Sequence, residues 1–261
     1  MSVNADTPFP ETISPGRFAG LTVIVTGAGS GIGRATALRI AREGGRVVAS
    51  DLSAERLAAL TREHPDLGLV AVEGDVTDDQ AVEAVVAAAD GDLYGLVNCA
   101  GIMDAFQPIG EVDDAMWHRV FAVNVDSVLK LTRAALPLLL ARDRSSVVNV
   151  SSEASLRGSC AGVAYTASKH AVIGMTLNSA VMYAKSGVRF NTVAPGPVAT
   201  NIQADFRSAL AGEVLGPLFG TNLPPIAQPE ELASTICYLL SPDASNVTGA
   251  VVACDGGWSA I

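Results

Sequence analysis

The sequence predicts a single α/β domain of the doubly wound type, in which a parallel sheet is covered by helices on both faces. Short runs rich in valine, isoleucine and leucine alternate with longer helical patterns, as expected for βαβ units. Hydrophobic residues make up 49% of the chain and aromatic residues only 5%, which favours an aliphatic core buried on both sides of the sheet. We expect one Rossmann-type domain over residues 19–261, preceded by a flexible lead-in over residues 1–18.

Seven runs are predicted as strands. In chain order they are LTVIVT, RVVASD, LGLVAVEGD, LYGLVNCAG, SSVVNVSS, GVRFNTVAPG and GAVVACDGG. Their length and their content of β-branched residues are typical of strands buried in a parallel sheet.

Helical patterns fill the connections between these strands. The first three are GIGRATALRIAREG, SAERLAALTREH with Ser53 as the predicted N-cap, and DDQAVEAVVAAA. A longer helical stretch precedes the fifth strand, and the apolar segment AYTASKHAVIGM precedes the sixth. Right-handed crossovers would place the helices on both faces of the sheet. Residues 201–227, which contain several glycines and prolines, are predicted to be an irregular segment that acts as a substrate lid.

Composition excludes several classes of function. The net charge of −10 argues against a nucleic-acid partner, and less strongly against an anionic membrane or an acidic carrier protein. No uncharged run is long enough to span a bilayer, and the N-terminal residues do not resemble a signal peptide. The four scattered cysteines and the three histidines have no metal-ligand spacing. We therefore expect a cytoplasmic protein with no metal and no membrane partner.

A glycine-rich turn follows the first predicted strand. Residues 26–33 read TGAGSGIG, with Gly27, Gly31 and Gly33 spaced as G-x-x-x-G-x-G and with Ser30 and Ile32 between them. Glycines allow the backbone to approach a pyrophosphate, and the N-terminus of the following helix favours negative charge. The turn predicts a dinucleotide cofactor.

The acid at the end of the second strand predicts which dinucleotide is bound. Asp51, followed by Leu52, lies 18 residues after Gly33, where a carboxylate can accept hydrogen bonds from ribose hydroxyls. The same charge would repel a 2′-phosphate, and no basic residue stands immediately beside it in the sequence. These observations favour NAD over NADP. A role for Asp51 as a helix cap and the presence of Arg34 in the first helix leave the preference open.

Two further strand ends are expected at the same edge of the sheet. GDV contributes Asp75 and Val76, which are predicted near the adenine, and NCAG contributes Asn98, Ala100 and Gly101. Ligands bind at the carboxyl ends of strands in open α/β sheets.

Taken together, these motifs resemble those of the short-chain dehydrogenase/reductase family in its compact branch. The resemblance rests on TGAGSGIG, GDV, NCAG, FAVNVDS, VVNVSS, YTASK, NTVAPGPVAT and VTGAVVACDGG. It implies a sheet of seven parallel strands, nicotinamide-dependent hydride transfer to or from a carbonyl carbon, and a homo-oligomer. A tetramer is favoured over a dimer.

The resemblance also assigns roles to individual residues. It places the catalytic set on Asn124, Ser152, Tyr165 and Lys169, and further cofactor contacts on Pro195, Gly196, Val198 and Thr200. In this assignment Lys169 also holds the nicotinamide ribose and Asn124 anchors a water for proton relay. Ser152 donates a hydrogen bond to the developing alkoxide.

The spacing of Tyr165 and Lys169 agrees with this assignment. A free phenol has a pKa near 10 and needs a positive charge close by to act as a base at neutral pH. Lys169 lies four residues after Tyr165, on the same helical face, and oxidised nicotinamide would add a second positive charge. We therefore expect Tyr165 to be a general acid/base whose pKa is lowered by Lys169.

The predicted substrate pocket is largely apolar. Direct substrate contacts are expected from Ser152, Glu153, Ala154 and Tyr165. Other candidates are Met103, Cys160 and Val163, with Phe206, Leu215, Leu218 and Phe219 of the lid. This composition favours an alicyclic, aromatic or other hydrocarbon-rich secondary alcohol. The helical segments VLKLTRAALPLLLA and AVIGMTLNSAVMYA are apolar on more than one face, which favours a homo-oligomer.

The sequence leaves three functions open. The first is an NAD-dependent alcohol dehydrogenase or ketoreductase. The second is an NADPH-dependent 3-oxoacyl-[acyl carrier protein] reductase, which Asp51 and the shortage of basic residues in NSAVMYAKSG disfavour. The third is a non-catalytic dinucleotide-binding redox sensor, against which the intact set of Ser152, Tyr165 and Lys169 speaks.

Overall fold

Seven strands form one parallel sheet in the computed structural model, which describes residues 9–202 and 205–260. The strands are β1 (Thr22–Thr26), β2 (Arg46–Asp51), β3 (Leu69–Glu73), β4 (Gly95–Asn98), β5 (Ser145–Val150), β6 (Val188–Pro195) and β7 (Val251–Cys254). Their order across the sheet is β3–β2–β1–β4–β5–β6–β7, and every neighbouring pair is parallel. The predicted doubly wound sheet is confirmed.

Eight α-helices accompany the strands in the described part of the chain. They are α1 (Gly31–Arg42), α2 (Ala54–Glu63), α3 (Asp79–Ala87), α4 (Asp114–Phe121), α5 (Ser127–Leu140), α6 (Val163–Tyr183), α7 (Ala209–Asn222) and α8 (Pro229–Leu240). Ser53 caps α2 as predicted, since its side chain accepts a hydrogen bond from the N–H of Arg56. A π-helical turn, Ala122–Asp126, joins α4 to α5. Within the described residues no helix is both long and apolar enough to span a bilayer.

The core lies on both faces of the sheet, because successive strand residues point to opposite sides. On one face Val25 of β1 packs in a cluster with Ile40 of α1 and Ile236 of α8. On the other face Ile24 packs in a cluster with Leu131 of α5. Both clusters are almost entirely aliphatic, as the low aromatic content predicts.

The sheet has its topological switch point at β1, which pairs with β2 on one side and β4 on the other. From β1 the chain continues through β2 and β3 on one side, and from β4 through β5, β6 and β7 on the other side. This reversal of strand order opens a crevice at the carboxyl ends of β1 and β4. Thr26, the last residue of β1, accepts hydrogen bonds of 3.0 Å from the N–H groups of both Cys99 and Ala100. This contact holds the ends of β1 and β4 together beneath the crevice.

Part of the predicted lead-in is packed against the domain. Residues 1–8 lie outside the described residues. Phe18 is fully buried, and Arg17 forms an ion pair of 2.9 Å with the buried Glu43 just after α1. The packed domain therefore includes residues before the predicted boundary at residue 19.

The predicted irregular lid is largely helical. Gln203 and Ala204 lie outside the described residues, but Ala209–Asn222 forms α7 despite containing three glycines and Pro217. Ser208 caps the helix by accepting a 3.0 Å hydrogen bond from the N–H of Ala211. Ala211 and Leu215 are buried in a cluster with Phe106. These tertiary contacts outweigh the low helix propensity that suggested a loop.

Candidate active site

A cavity of about 970 Å³ opens along the carboxyl ends of the strands. Most residues predicted to hold the cofactor line it, namely Gly27, Ser30, Gly31, Ile32, Gly33, Asp51, Leu52, Asp75, Val76, Ala100, Gly101, Pro195, Gly196, Val198 and Thr200. Ser152, Glu153, Tyr165 and Lys169 line the same cavity. The topology thus brings the predicted cofactor site and the predicted catalytic set together.

The glycine turn after β1 leaves no room for side chains. Gly27 has a φ of +65°, and a Cβ there would lie 3.1 Å from the Cα of Ala100. Gly31 has a φ of +52°, and a Cβ there would lie 2.9 Å from a side-chain carbon of Thr200. The first turn of α1 carries no acidic residue, and the side chain of Ser30 does not cap it. Its free N–H groups therefore fit a pyrophosphate, as the turn predicts.

Asp51 is tied to the glycine turn by its carboxylate. Its two oxygens accept hydrogen bonds of 2.9 Å each from the N–H groups of Gly29 and Ser53, and the residue is only 8% exposed. The residue that caps α2 is Ser53, not Asp51. Each oxygen keeps a second lone pair, so the carboxylate can still accept from ribose hydroxyls while it holds the turn.

A basic residue does lie at the same end of the cavity as Asp51, although none stands immediately beside it in the sequence. Arg56, in the first turns of α2, lines the same end of the cavity, and its guanidinium donates a 3.3 Å hydrogen bond to the hydroxyl of Ser30. Arg34 is less relevant than the sequence suggested, because it pairs with Glu63 at 2.6 Å. The end of the cavity beside the glycine turn therefore contains two carboxylates, those of Asp51 and Asp75, and the guanidinium of Arg56.

The prediction for Asn98 needs correction. Asn98 does not line the cavity, and its amide donates hydrogen bonds to the hydroxyl of Thr132 at 3.0 Å and to Asn149 at 2.8 Å. It joins β4 to β5 and α5 instead. The neighbouring Gly101 does line the cavity, and a Cβ there would lie 3.3 Å from the Nζ of Lys169.

Tyr165 and Lys169 lie on the same face of α6, as predicted. The Nζ of Lys169 lies 5.5 Å from the centroid of the Tyr165 ring and donates a 3.1 Å hydrogen bond to the carbonyl of Val150. Ser152 begins a short 3-10 turn, and its hydroxyl interacts with the phenol of Tyr165. Three side chains with proton-transfer or hydrogen-bonding chemistry therefore meet at one point of the cavity.

The protonation of this group differs from the expectation. Burial raises the pKa of Tyr165 to about 12, although the hydrogen bond from Ser152 acts in the opposite direction. Burial also lowers the pKa of Lys169 to about 8, because its ammonium is taken out of water. In the protein alone, Lys169 does not lower the pKa of the phenol below its ordinary value, and Tyr165 is protonated at neutral pH.

Asn124 lies behind the cavity wall rather than in it. Its side-chain oxygen accepts a 2.9 Å hydrogen bond from the N–H of Ile102, and its amide donates to the carbonyl of Ile102 at 2.9 Å and to Ser168 at 3.1 Å. Asn124 is on the π-helical turn between α4 and α5. These bonds fix the loop after β4 next to α6, and the predicted water-anchoring role remains a prediction.

The segment after β6 closes the cavity on the side away from Asp51. A Cβ on Gly196 would lie 2.7 Å from the Cα of Asp255, so this backbone packs directly on the segment after β7. Val198 forms a parallel bridge with Ala227. The backbone that carries Val198 and Thr200 is therefore held at both sides.

The far end of the cavity is aromatic. Met103, Phe106, Cys160, Phe219 and Trp258 line it. The ring of Phe219 lies 5.9 Å from that of Trp258 and 6.1 Å from that of Phe106. Several other predicted contacts do not line the cavity: Ala154, Val163, Phe206, Leu215 and Leu218. Phe206 instead stacks on Phe106 at 4.3 Å, and Leu218 is partly exposed on α7.

Glu153 is an acid buried at the wall of this pocket. Its side chain is 1% exposed, and the Nε of Arg157 lies 2.5 Å from its carboxylate. Burial and the neighbouring Asp255 raise the pKa of Glu153 to about 7, against the effect of Arg157. Asp255 in turn accepts hydrogen bonds from the N–H groups of Gly257 and Ser259, which shape the turn that carries Trp258.

Sequence reasoning did not identify Arg56, Phe106 and Trp258, which line the cavity, or Asp104, which is buried in the loop that carries Phe106. Arg56 could have been found as a basic residue in the first turns of the helix after Asp51. Asp104 lies three residues after Gly101, and Phe106 follows it, but no pattern marks that loop as part of the site. Trp258 follows the final glycine pair and gives no signal beyond being one of two tryptophans.

Comparisons with known proteins agree with this arrangement. The sequence profile described as Enoyl-(Acyl carrier protein) reductase matches residues 27–259. The chain is 41% identical over 252 residues to Short-chain dehydrogenase/reductase cdmF of Talaromyces verruculosus, covering 92% of this chain and 97% of that protein. It is 39% identical over 254 residues to 3beta-hydroxysteroid dehydrogenase 2 of Eggerthella lenta, covering 93% of this chain and 96% of that protein. The crystal structure of levodione reductase matches with a TM-score of 0.83 and 33% identity, over 93% of this chain and 99% of that one.

Proposed function

The chain belongs to the short-chain dehydrogenase/reductase family, and we propose that it interconverts a secondary alcohol and a ketone with NAD(H), using Tyr165 as the general acid/base. Members of this family are oxidoreductases that bind a nicotinamide dinucleotide and act on alcohol or ketone groups. The observation that carries the proposal is the meeting of Ser152, Tyr165 and Lys169 beside the glycine turn, in one cavity.

The cofactor fits the groups along the cavity. The free N–H groups at the start of α1 would hold the pyrophosphate, and Asp51 would accept hydrogen bonds from the adenosine ribose. Lys169 and Tyr165 would hold the second ribose, and Val198 and Thr200 the carboxamide. When bound, the nicotinamide supplies or accepts the hydride, and in its oxidised form it adds a positive charge.

Tyr165 and Ser152 carry the proton chemistry in this proposal. In reduction the protonated phenol donates its proton to the carbonyl oxygen, and in oxidation the phenolate takes the hydroxyl proton. Ser152 donates a hydrogen bond to the same oxygen and orients it. Because the protein's own groups raise the pKa of Tyr165 to about 12, the phenol is ready to donate at neutral pH. It acts as a base only when positive charge is added beside it.

NAD is the proposed cofactor because Asp51 is buried against the glycine turn, where its charge would oppose a 2′-phosphate. Arg56 at the same end of the cavity reduces this opposition. We therefore propose a preference for NAD that is weaker than Asp51 alone would give.

The proposed substrate is a secondary alcohol or ketone on a largely hydrocarbon skeleton. The aromatic end of the cavity supports this class, since Phe106, Phe219 and Trp258 offer apolar surface beside Tyr165. The names of two similar proteins, a 3beta-hydroxysteroid dehydrogenase and levodione reductase, point in the same direction.

A second candidate is a 3-oxoacyl-[acyl carrier protein] reductase. The description of the matching profile names a carrier-protein reductase, and Arg56 would suit NADPH. The net charge of −10 counts against it, because an acidic carrier needs a basic docking surface.

We also propose that the protein forms a homo-oligomer through α5 and α6. Leu129 of α5 is 48% exposed, and Leu177 and Val181 of α6 are 45% and 79% exposed. Exposed apolar helix faces of this kind are usually covered by a partner. Sedimentation analysis of Val181→Glu should give a smaller species than the wild-type protein, while Ile109→Glu, in an exposed loop, should not.

Initial rates with a panel of hydrophobic secondary alcohols, each with NAD and with NADP, test the proposal. Turnover that is faster with NAD supports it, and the best alcohol defines the substrate class. Turnover with NADP alone favours the carrier-protein candidate. If no alcohol or matching ketone reacts while NAD still binds, the enzymatic proposal fails and a dinucleotide-binding sensor is favoured.

A further inference from the structure

Asp104 is a buried acid in the loop between β4 and α4 whose carboxylate is directed at α6. It is 1% exposed. Its Oδ1 accepts hydrogen bonds from the N–H groups of Phe106 at 3.1 Å and Gly162 at 3.0 Å, and its Oδ2 accepts from the N–H of Tyr165 at 2.9 Å. One carboxylate therefore joins its own loop to the helix that carries the proposed acid/base.

The first turn of α6 has no cap of its own. Its N-cap residue is Gly162, which has no side chain to accept a hydrogen bond. A Cβ at that position would lie 2.6 Å from the Oδ2 of Asp104, so the glycine is needed for the acid to reach the helix. A carboxylate at a helix N-terminus is stabilised by the unpaired N–H groups and by the helix dipole. Asp104 supplies this cap from 58 residues earlier in the chain.

The same loop forms part of the cavity. Met103 and Phe106, which flank Asp104 closely, both line it. Phe106 has a φ of +56°, a left-handed conformation that is unusual for an aromatic residue. The carboxylate of Asp104 accepts a hydrogen bond from the N–H of Phe106. The carbonyl of Gln107 accepts a 3.0 Å hydrogen bond from the N–H of Val163. The loop and the first turn of α6 are thus joined by both side-chain and backbone hydrogen bonds.

We propose that Asp104 is a positioning residue for Tyr165, which it holds against the substrate-contacting loop while placing a negative charge near the phenol. This inference rests on the proposed role of Tyr165. It goes further by assigning a function to a residue that touches neither the substrate pocket nor the cofactor groove.

The charge has a consequence for the phenol. The negative charge of Asp104 acts to raise the pKa of Tyr165, in the same direction as burial and against the hydrogen bond from Ser152. The groups that face the phenol from all packed elements are Cys99, Asp104, Ser152, Cys160 and Lys169. A neutral residue at position 104 would lower the pKa of Tyr165 and weaken the cap. If Asp104 acted only as a helix cap, a neutral residue at position 104 would weaken the cap and leave the pKa of Tyr165 unchanged.

The test compares Asp104→Asn with Asp78→Asn. Asp78 caps α3 with a 2.8 Å hydrogen bond from Gln80 and does not line the cavity, so it is a matched cap without a link to Tyr165. For Asp104→Asn we expect kcat to fall about 3- to 10-fold. In the plot of kcat against pH, the limb that reports Tyr165 should move to lower pH by roughly 0.5 to 1 unit. Hydrogen exchange of the peptide that begins α6 should become faster, which is measured without cofactor.

Two further variants separate the possible failures. Gly162→Ala disturbs the same contact from the helix side and should reproduce the faster exchange even if Asp104→Asn does not fold. If Tyr165→Phe keeps its turnover, the proposed function fails. If Tyr165→Phe is inactive but Asp104→Asn matches Asp78→Asn in kcat, pH limb and exchange, the role of Asp104 alone is overturned. An unmoved pH limb with a lower kcat also overturns it, since the charge would then have no influence.

Discussion

The Nζ of Lys169 lies 5.5 Å from the centroid of the Tyr165 ring, and both residues are buried. Proximity alone does not give the phenolate that the sequence suggests. Burial acts on both groups and disfavours the charged form of each, so the pKa of Tyr165 rises to about 12 and that of Lys169 falls to about 8. At neutral pH the phenol of Tyr165 is thus protonated while Lys169 still carries most of its charge.

Replacing Tyr165 with Phe should remove turnover without removing cofactor binding. The variant loses only the hydroxyl, while the glycine turn and Asp51 are unchanged. We expect kcat to fall by at least about 10³-fold, within the range attributed to general acid/base catalysis. NAD binding, measured by calorimetry, should stay within about threefold of the wild-type value. A variant that turns over at a near-normal rate would contradict the role of Tyr165.

Replacing Lys169 with Met should change stability in a way that depends on pH. The folded protein holds the Lys169 proton less tightly than the unfolded chain, because its pKa is about 8 rather than the usual 10.5. The burial of its charge therefore destabilises the wild type below pH 8, and this penalty is relieved as the pH rises from 8 to 10.5. Relative to Lys169→Met, the wild type should gain unfolding free energy over that window, by on the order of 3 kcal/mol in total.

Lys185→Met is the matched control for this experiment. Lys185 is exposed, so its replacement should give a stability difference that does not change over the same pH range. Denaturant unfolding of the three proteins at pH 7 and pH 10 measures both differences. If the gap between wild type and Lys169→Met stays constant, Lys169 does not carry the penalty.

The balance between Asp51 and Arg56 should set cofactor preference. Asp51→Asn removes the charge but keeps the size of the side chain, which limits damage to the glycine turn that Asp51 holds through Gly29. We expect kcat/KM for NADP to rise about tenfold, because the variant no longer repels the 2′-phosphate. A tenfold change corresponds to a repulsion of about 1.4 kcal/mol. Arg56→Gln should lower kcat/KM for NADP and leave that for NAD nearly unchanged.

The double variant tests whether the two residues act on the same phosphate. If Arg56 is the group that accommodates a 2′-phosphate, the gain from Asp51→Asn should be much smaller when Arg56 is also replaced. Equal gains in both backgrounds would show that Arg56 is not involved. Arg34→Gln is the control, because Arg34 pairs with Glu63 and does not line the cavity.

The sequence predicted most of the fold because its signals are local and agree with one another. The strand at Thr22–Thr26, the glycine turn and α1 follow in order, and each supports the next. The exception is α7, where glycines and Pro217 suggested a loop. Its stability comes from Leu215 and Ala211 packing on Phe106, a contact made across about 100 residues of chain that no local pattern reveals.

The candidate site was predictable where a motif fixes the backbone and not where a side chain reaches across the structure. Ser152, Tyr165 and Lys169 lie in the cavity as expected. Asn98 does not, because its amide turns toward α5. Arg56 was missed because it reaches the cavity only once α2 folds back beside the glycine turn. The pKa values depend on burial, which the sequence does not provide.

Glu153 provides the last prediction, on stability against pH. Burial and Asp255 raise its pKa from 4.5 to about 7, so the folded protein binds this proton more tightly than the unfolded chain does. Its contribution is most favourable below pH 4.5 and is lost as the pH rises through 7. Glu153→Gln keeps the shape without titrating, so its melting temperature relative to wild type should rise between pH 5 and pH 7 and level off above that. Glu83→Gln, on the exposed side of α3, should show no such trend. A constant difference for Glu153→Gln would mean that the acid is already charged at pH 5, with Arg157 as its effective partner.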